Sequence, residues 1–342
     1  MKQHTGILLV NLGTPDSPQP KDVYKYLNEF LTDGRVIDIP WLWRQMLVRF
    51  LIVPFRYKQS AAAYQKIWSA NGSPLMVYGK KVSELLQAEL GESFHVELAM
   101  RYQSPSIRAA LGKLLKNGIS RLLVLPLFPQ YASATTGSVH QKVMQELSSY
   151  PVIPEVVFVN NYAVHPALID AFCAASSRMD LKQYDHILFS FHGLPERQLR
   201  KADQRGWCLQ SKACCQHYCE ENSACYSAQC HATAMAIGRQ LEIPLDKMSI
   251  SFQSRLGKEP WLQPYTSAVI PELARLGKKN VAVYCPSFVC DCLETLYEIG
   301  IEYAHDFRKA GGERLDLVPG LNDDPVWISS LKAIIGSYLG TI

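Results

Sequence analysis

Two groups of residues in this 342-residue chain have the types and spacing that chemistry needs. The first is His192, in SFHGLP, together with Asp291, Glu294 and Glu298 in DCLETLYEIG. At offsets of three and seven an α-helix would carry the three carboxylates on one face, and Glu302 would extend the series if the helix continued past Gly300. A neutral imidazole accepts a proton or ligates a metal. Clustered carboxylates bind a hard or borderline cation, and mutual repulsion raises some of their pKa values until they too accept protons. The ordinary alternatives are a hydrogen-bonded loop histidine and a solvated acidic helix face.

A histidine opposite a ladder of carboxylates suits a reaction in which a divalent metal arrives and protons leave. Leu12, Tyr102, Tyr131, Trp261 and Phe288 supply an apolar, aromatic setting for a large flat partner. A tetrapyrrole meets that description, since metal insertion must remove two pyrrole protons.

The second group is WCLQSKACCQHYCEENSACYSAQC, Trp207 to Cys230, which holds six of the ten cysteines. The N-terminal MKQHTGILLVNLGTP lacks the pattern of a signal peptide, and no apolar stretch is long enough to span a bilayer. A cytoplasmic address is therefore expected, and reduced thiols with it. The spacing C-x5-C-C-x3-C-x5-C matches neither paired zinc-ribbon motifs nor plant-type ferredoxins, so an irregular four-thiolate cage fits better than a zinc knuckle.

These groups need a scaffold. Short apolar runs at 6–10, 96–100, 121–127 and 156–159, then at 186–191, 248–252, 280–284 and 314–318, each precede a turn and a longer amphipathic segment. Continuous apolar strands alternating with helices predict parallel sheets covered on both faces. The fold class is α/β: two similar doubly wound, Rossmann-like domains with parallel four-stranded sheets. The expected division is 1–161 plus 320–342, and 162–319 with the cysteine insert at 207–225. Ligands of such folds sit at the carboxyl ends of the strands, where this chain reads NLGTP, RYQSP, PQYASATTGS, SFHGLP and FQSRLG.

Segment 41–58 is rich in Trp, Leu and Phe with Arg44, Arg49, Arg56 and Lys58 nearby, as an apolar lip resting on a membrane surface would be. A net charge of +4 spread without basic blocks gives no reason to expect nucleic acid.

From GILLVNLGTP to LNDDP the chain resembles the ferrochelatases, and SFHGLP, FQSRLGKEPWLQP, DCLETLYEIGIEY, GSPL and RYQSP carry the likeness in order. The resemblance implies a chelatase-like fold and a lyase inserting Fe2+ into protoporphyrin IX, the last step of haem biosynthesis. The alternatives are a coproporphyrin or other tetrapyrrole metal chelatase, and a non-enzymatic haem or Fe–S sensor. It implies His192 and Glu294 as the catalytic pair facing each other across the porphyrin, with Asp291 and Glu298 on the iron and proton path. Arg101 and Tyr102 match an active-site pair, Arg56 faces a propionate, and Leu12, in place of a larger polar residue, favours protoporphyrin. Tyr131 and Trp261 complete the substrate-binding set. The insert resembles the place where some bacterial members hold one [2Fe–2S] cluster per chain, with Cys208, Cys214, Cys215 and Cys225 as ligands and Cys219 the alternative. Peripheral contact with the inner membrane and a monomer or homodimer are expected.

Overall fold

A computed structural model of the chain describes residues 4–211, 213–257 and 259–340. Each of the eight apolar runs forms a strand. The first four are β1 (Thr5–Gly13), β2 (Phe94–Tyr102), β3 (Arg121–Pro126) and β4 (Glu155–Phe158), parallel and in the order β2-β1-β3-β4. The second four are β5 (His186–His192), β6 (Met248–Gln253), β7 (Asn280–Tyr284) and β8 (Arg314–Leu317), parallel and in the order β6-β5-β7-β8.

Burial explains why the runs are continuous rather than alternating. Ile7 to Val10 and Ile187 to Phe189 are all buried, because helices cover both faces of a parallel sheet. In the first half, Leu8, Val10, Leu122 and Val124 pack with Leu111, Leu114, Val139 and Val143 of the helices Ile107–Lys116 and Ser138–Leu147. In the second, Leu188, Val281 and Val283 pack with Ile270 and Phe307. Fully burying one such side chain is worth roughly 1.5–3 kcal/mol, so these layers dominate the stability of each half.

Both sheets reverse direction between their first and third strands, which puts the topological switch points at β1/β3 and β5/β7. The segment after the third strand is irregular in both halves. Ser133–Gly137 and Leu293–Tyr303 wind as π-helix, with i→i+5 bonding, where an α-helix was expected. The second runs past Gly300 without a break and continues as the α-helix Ala304–Lys309.

Two compact units result: residues 1–128, 132–160 and 331–342, and residues 129–131 and 161–330. The chain rejoins the first unit at Leu331, inside the helix Pro325–Leu339, rather than at 320. The reason is local. Asn322 donates through its backbone to Val289 O (3.0 Å) and through its side chain to Asp291 (2.7 Å), tying 320–330 to the second unit. None of the described helices is long and apolar enough to cross a membrane.

Candidate active site and thiol cage

β5 ends on His192, level with Gln253 at the end of β6. Gly193 then turns the chain so tightly that a Cβ there would lie 2.8 Å from the Gln253 carbonyl oxygen and 3.2 Å from Trp261 Cε3. The His192 backbone is held from the other side. Tyr226 donates its hydroxyl to the His192 carbonyl (2.8 Å) and shares a 3.0 Å hydrogen bond with Ser287 Oγ. Ser287 Oγ in turn accepts the His192 N–H at 3.4 Å.

The imidazole Nδ1 stands 2.7 Å from the Gly193 carbonyl. A carbonyl only accepts, so Nδ1 carries the proton and the lone pair of the neutral ring is left on Nε2. Burial lowers the His192 pKa, outweighing the nearby Glu294 carboxylate and the Gly193 bond, which both raise it. The ring is therefore neutral at physiological pH and its edge meets Phe288.

Glu294 and Glu298 lie one turn apart on the π-helix, and a buried amide beneath them sets their positions. Gln253 is 1% exposed, and its Nε2 donates to the Glu294 carbonyl (3.1 Å) and to Glu298 Oε2 (3.3 Å). Its Oε1 accepts from Ser190 Oγ at 2.7 Å, and Thr266 Oγ1 links Ser190 (2.9 Å) to Ser251 (2.8 Å). Ser254 Oγ adds a 2.7 Å bond to Glu298. The Glu298 carboxyl is pushed up to about 7, by burial first and by the Glu294 charge next, with Ser254 and Gln253 opposing. A carboxyl titrating there both takes up and releases protons near neutrality.

Asp291 does not share that face. Cys292, in extended conformation, caps the helix by accepting the Thr295 N–H, so Asp291 precedes the first turn. Its carboxylate accepts from Thr295 Oγ1 (2.9 Å), Asn322 Nδ2 (2.7 Å) and the Gly320 N–H (3.4 Å). With three donors and 6% exposure, Asp291 anchors the loop after β7 instead of extending an open stripe.

In the first unit the expected Arg–Tyr pair is organised by Asp33. Its Oδ2 accepts from Arg101 Nη2 (2.6 Å), Tyr102 Oη (2.8 Å) and Ser138 Oγ (2.5 Å), while Oδ1 accepts the Arg35 N–H (2.8 Å). Arg101 Nε also reaches Ser138 Oγ at 2.7 Å. The Asp33 carboxyl is held below its usual range: hydrogen bonds from Ser138 and Arg35 and the Arg101 charge outweigh burial. Tyr102 is 1% exposed, its hydroxyl bonds Asp33, and the Arg101 guanidinium lies over its ring. Leu12, at the end of β1, and Tyr131 are half-buried, Arg56 is exposed, and Trp261 is buried against Gly193.

The segment 41–58 has two sides. Val48 and Val53 pack with Leu31, Phe30 and Tyr57, and Arg44 is bonded to the carbonyls of Thr32 (2.9 Å) and Ile39 (2.8 Å). Trp41, Leu42, Trp43, Phe50, Leu51 and Phe55 are each more than half exposed. That is an apolar surface rimmed by the exposed Arg49, Arg56 and Lys58.

In the insert, the Cys225 thiol bonds to both Cys208 and Cys215, and Cys214 Sγ lies 3.6 Å from Cys215 Sγ. Those two neighbours, together with the Ala228 and Ser227 N–H groups opening the helix Tyr226–Gln240, hold the Cys225 pKa down at about 3. Cys219 is engaged elsewhere: its thiol bonds Glu221 and its N–H donates to Asn222. Among the described residues, no three His, Cys, Asp or Glu side chains already stand in a metal-holding arrangement. Cys230, Cys285 and Cys290 are buried.

Gln253 and Ser254 lie in FQSRLG at the expected rim without an assigned role, and Tyr226, Ser287 and Asp33 join the site only through the contacts above. The available signal was polar residues, Ser190, Ser251 and Gln253, within otherwise apolar strands.

Paired parallel sheets with a histidine beside carboxylates at a switch point suit the class of metal chelatases. The comparisons narrow that class. The family model "Ferrochelatase" matches residues 4–339. The chain is 43% identical to the ferrochelatase of Legionella pneumophila (strain Paris), covering 98% of this chain and 99% of that one. It is 45% identical to the ferrochelatase of Azotobacter vinelandii, covering 96% and 97%. The chain belongs to the ferrochelatase family, the metal chelatases of the last step of haem biosynthesis. Among solved structures, SirB from Bacillus subtilis with Fe3+ superposes with a TM-score of 0.55 at 11% identity, over 98% of this chain and 96% of that one, a likeness of fold.

Proposed function

We propose that the chain inserts Fe2+ into protoporphyrin IX, with His192 and Glu294 as the catalytic pair and Glu298 as the relay that carries protons away. The observation behind this reading is the neutral His192 ring, with its Nε2 lone pair free of the Gly193 bond, in the electrostatic field of Glu294. The porphyrin loses two N–H protons and Fe2+ takes their place, so two protons must leave for each iron bound. His192 Nε2 accepts the two pyrrole protons one after the other, passing on the first before it takes the second. Glu294 stabilises the imidazolium that forms, and Glu298, poised at about 7, receives the proton and returns it to water.

The apolar Leu12 at the β1 end suits the less carboxylated macrocycle, and Arg56 serves a propionate. The insert residues suit a [2Fe–2S] cluster by donor chemistry: Cys225 bonds Cys208 and Cys215, and Cys214 Sγ lies 3.6 Å from Cys215 Sγ, so four thiols lie along one short path. Cys208, Cys214, Cys215 and Cys225 would hold it, with Cys219 outside, and thiolate ligation would staple the insert to the helix Tyr226–Gln240. The exposed face of 41–58 supports peripheral binding to an inner-membrane surface, from which a poorly soluble porphyrin would arrive.

Anaerobic turnover with Fe2+, comparing protoporphyrin IX with coproporphyrin, tests the substrate assignment. A higher kcat/KM for protoporphyrin is expected. Preference for coproporphyrin would overturn that assignment, and failure with both would remove the enzymatic reading.

A further inference from the structure

We infer that Tyr226 is a positioning residue for metal insertion, and that through it the placement of His192 depends on the Cys225 end of the thiol cage. The inference rests on the proposed role of His192. Tyr226 directly follows Cys225 and opens the helix Tyr226–Gln240. Its ring is buried, and its hydroxyl donates to the His192 carbonyl at 2.8 Å, pairs with Ser287 Oγ at 3.0 Å and meets the Cys230 thiol. Because Ser287 also receives the His192 N–H, one phenol holds both peptide groups flanking the His192 Cα. The Gly193 carbonyl that fixes the imidazole tautomer is one peptide further along, so a shift of this backbone displaces the ring as well.

The opposite end of the same helical turn belongs to the insert. Cys225 bonds Cys208 and Cys215, Cys215 Sγ reaches Ser227 Oγ at 3.2 Å, and Gln229 Nε2 donates to Ser223 O at 2.6 Å. Gln229, fully buried, also accepts the Tyr131 N–H at 2.7 Å. A single turn of helix thus takes bonds from the cysteine insert on one side and places them on the histidine on the other. The insert need perform no chemistry to matter for activity.

The test is a double-mutant cycle in the full chain purified anaerobically. Tyr226→Phe keeps the ring and removes the hydroxyl's bonds to His192, Ser287 and Cys230. It is expected to lower kcat about fivefold to tenfold with the porphyrin KM unchanged, as loss of one or two hydrogen bonds predicts. In 15N-histidine-labelled protein, the His192 ring signals, identified by their absence in His192→Gln, should move from the Nδ1–H tautomer toward a mixture. Cys225→Ser should shift those signals in the wild-type background and add nothing in Tyr226→Phe; Ser227→Ala replaces it if the serine variant does not fold. Equal effects in both backgrounds, within about twofold, would overturn the coupling. A Tyr226→Phe protein with wild-type kcat and wild-type His192 signals would overturn the positioning role. The spectroscopic arm needs no turnover, so an inactive wild type would remove the enzymatic reading while the cycle still decided this one.

Discussion

The Nδ1 of His192 donates to the carbonyl of its own neighbour, Gly193, at 2.7 Å. That single bond decides which ring nitrogen can receive a proton. It also makes Gly193 the residue on which the tautomer depends, and Gly193 is packed so closely on Gln253 and Trp261 that a side chain cannot enter.

Glu298 predicts a pH dependence of both activity and stability. Its ionised form is the proton acceptor, so turnover should rise with pH through about 7. Ser254→Ala removes a bond to the charged carboxylate and should move that rise to higher pH; Glu298→Gln should abolish it. For stability the sign is opposite. The folded state binds this proton more tightly than the unfolded state, so the group's contribution falls as pH rises from about 4.5 to about 7. Glu298→Gln should therefore raise the Tm at about pH 8 and leave it unchanged at about pH 4, measured by thermal melts of both proteins.

Asp33 predicts a stability effect confined to the first unit. Asp33→Ala strands a largely buried Arg101 and should cost about 3 kcal/mol, read as a lower urea midpoint. The Asp33 pKa is depressed, so its stabilisation is full above the ordinary carboxylate value and is lost as pH falls through the depressed one. The gap between wild type and variant should close in acid.

The lip predicts vesicle binding. Wild type should co-sediment with vesicles containing anionic lipid, and Phe50→Glu with Phe55→Glu should reduce the bound fraction at least about tenfold, since each places charge at the interface. Turnover with detergent-solubilised porphyrin should be unaffected. Equal sedimentation of the two proteins would contradict the lip's role.

The thiol cage predicts an unequal cysteine scan. Anaerobically purified wild type should carry about two irons and two sulfides per chain. Serine at Cys208, Cys214, Cys215 or Cys225 should lose them, and Cys219→Ser should keep them. Zinc without iron in the wild type would remove the cluster.

Much of this was legible in the residues because burial leaves a strong mark. Strands covered on both faces must be largely apolar, and the eight runs are predominantly so. His192 was legible because a strand end at a switch point is where a side chain reaches a ligand. Asp291 was misread because i, i+3, i+7 spacing presumes an α-helix from its first residue. The chain instead caps at Cys292 and winds as π-helix, a choice set by bonds to Thr295 and Asn322 from outside the periodicity. Tyr102 shows a related limit. Its neighbour Arg101 marks the place, but only the distant Asp33 reveals that the phenol points inward. Gln253 and Tyr226 left the weakest trace, since a buried polar residue announces itself only through partners far away in sequence.

The most direct measurement is anaerobic single-turnover insertion of Fe2+ into protoporphyrin IX by wild type and His192→Ala, with porphyrin affinity measured in parallel. Loss of the general base should slow insertion by about two to four orders of magnitude while porphyrin affinity changes less than about threefold. Insertion by His192→Ala at the wild-type rate would contradict the account at its centre.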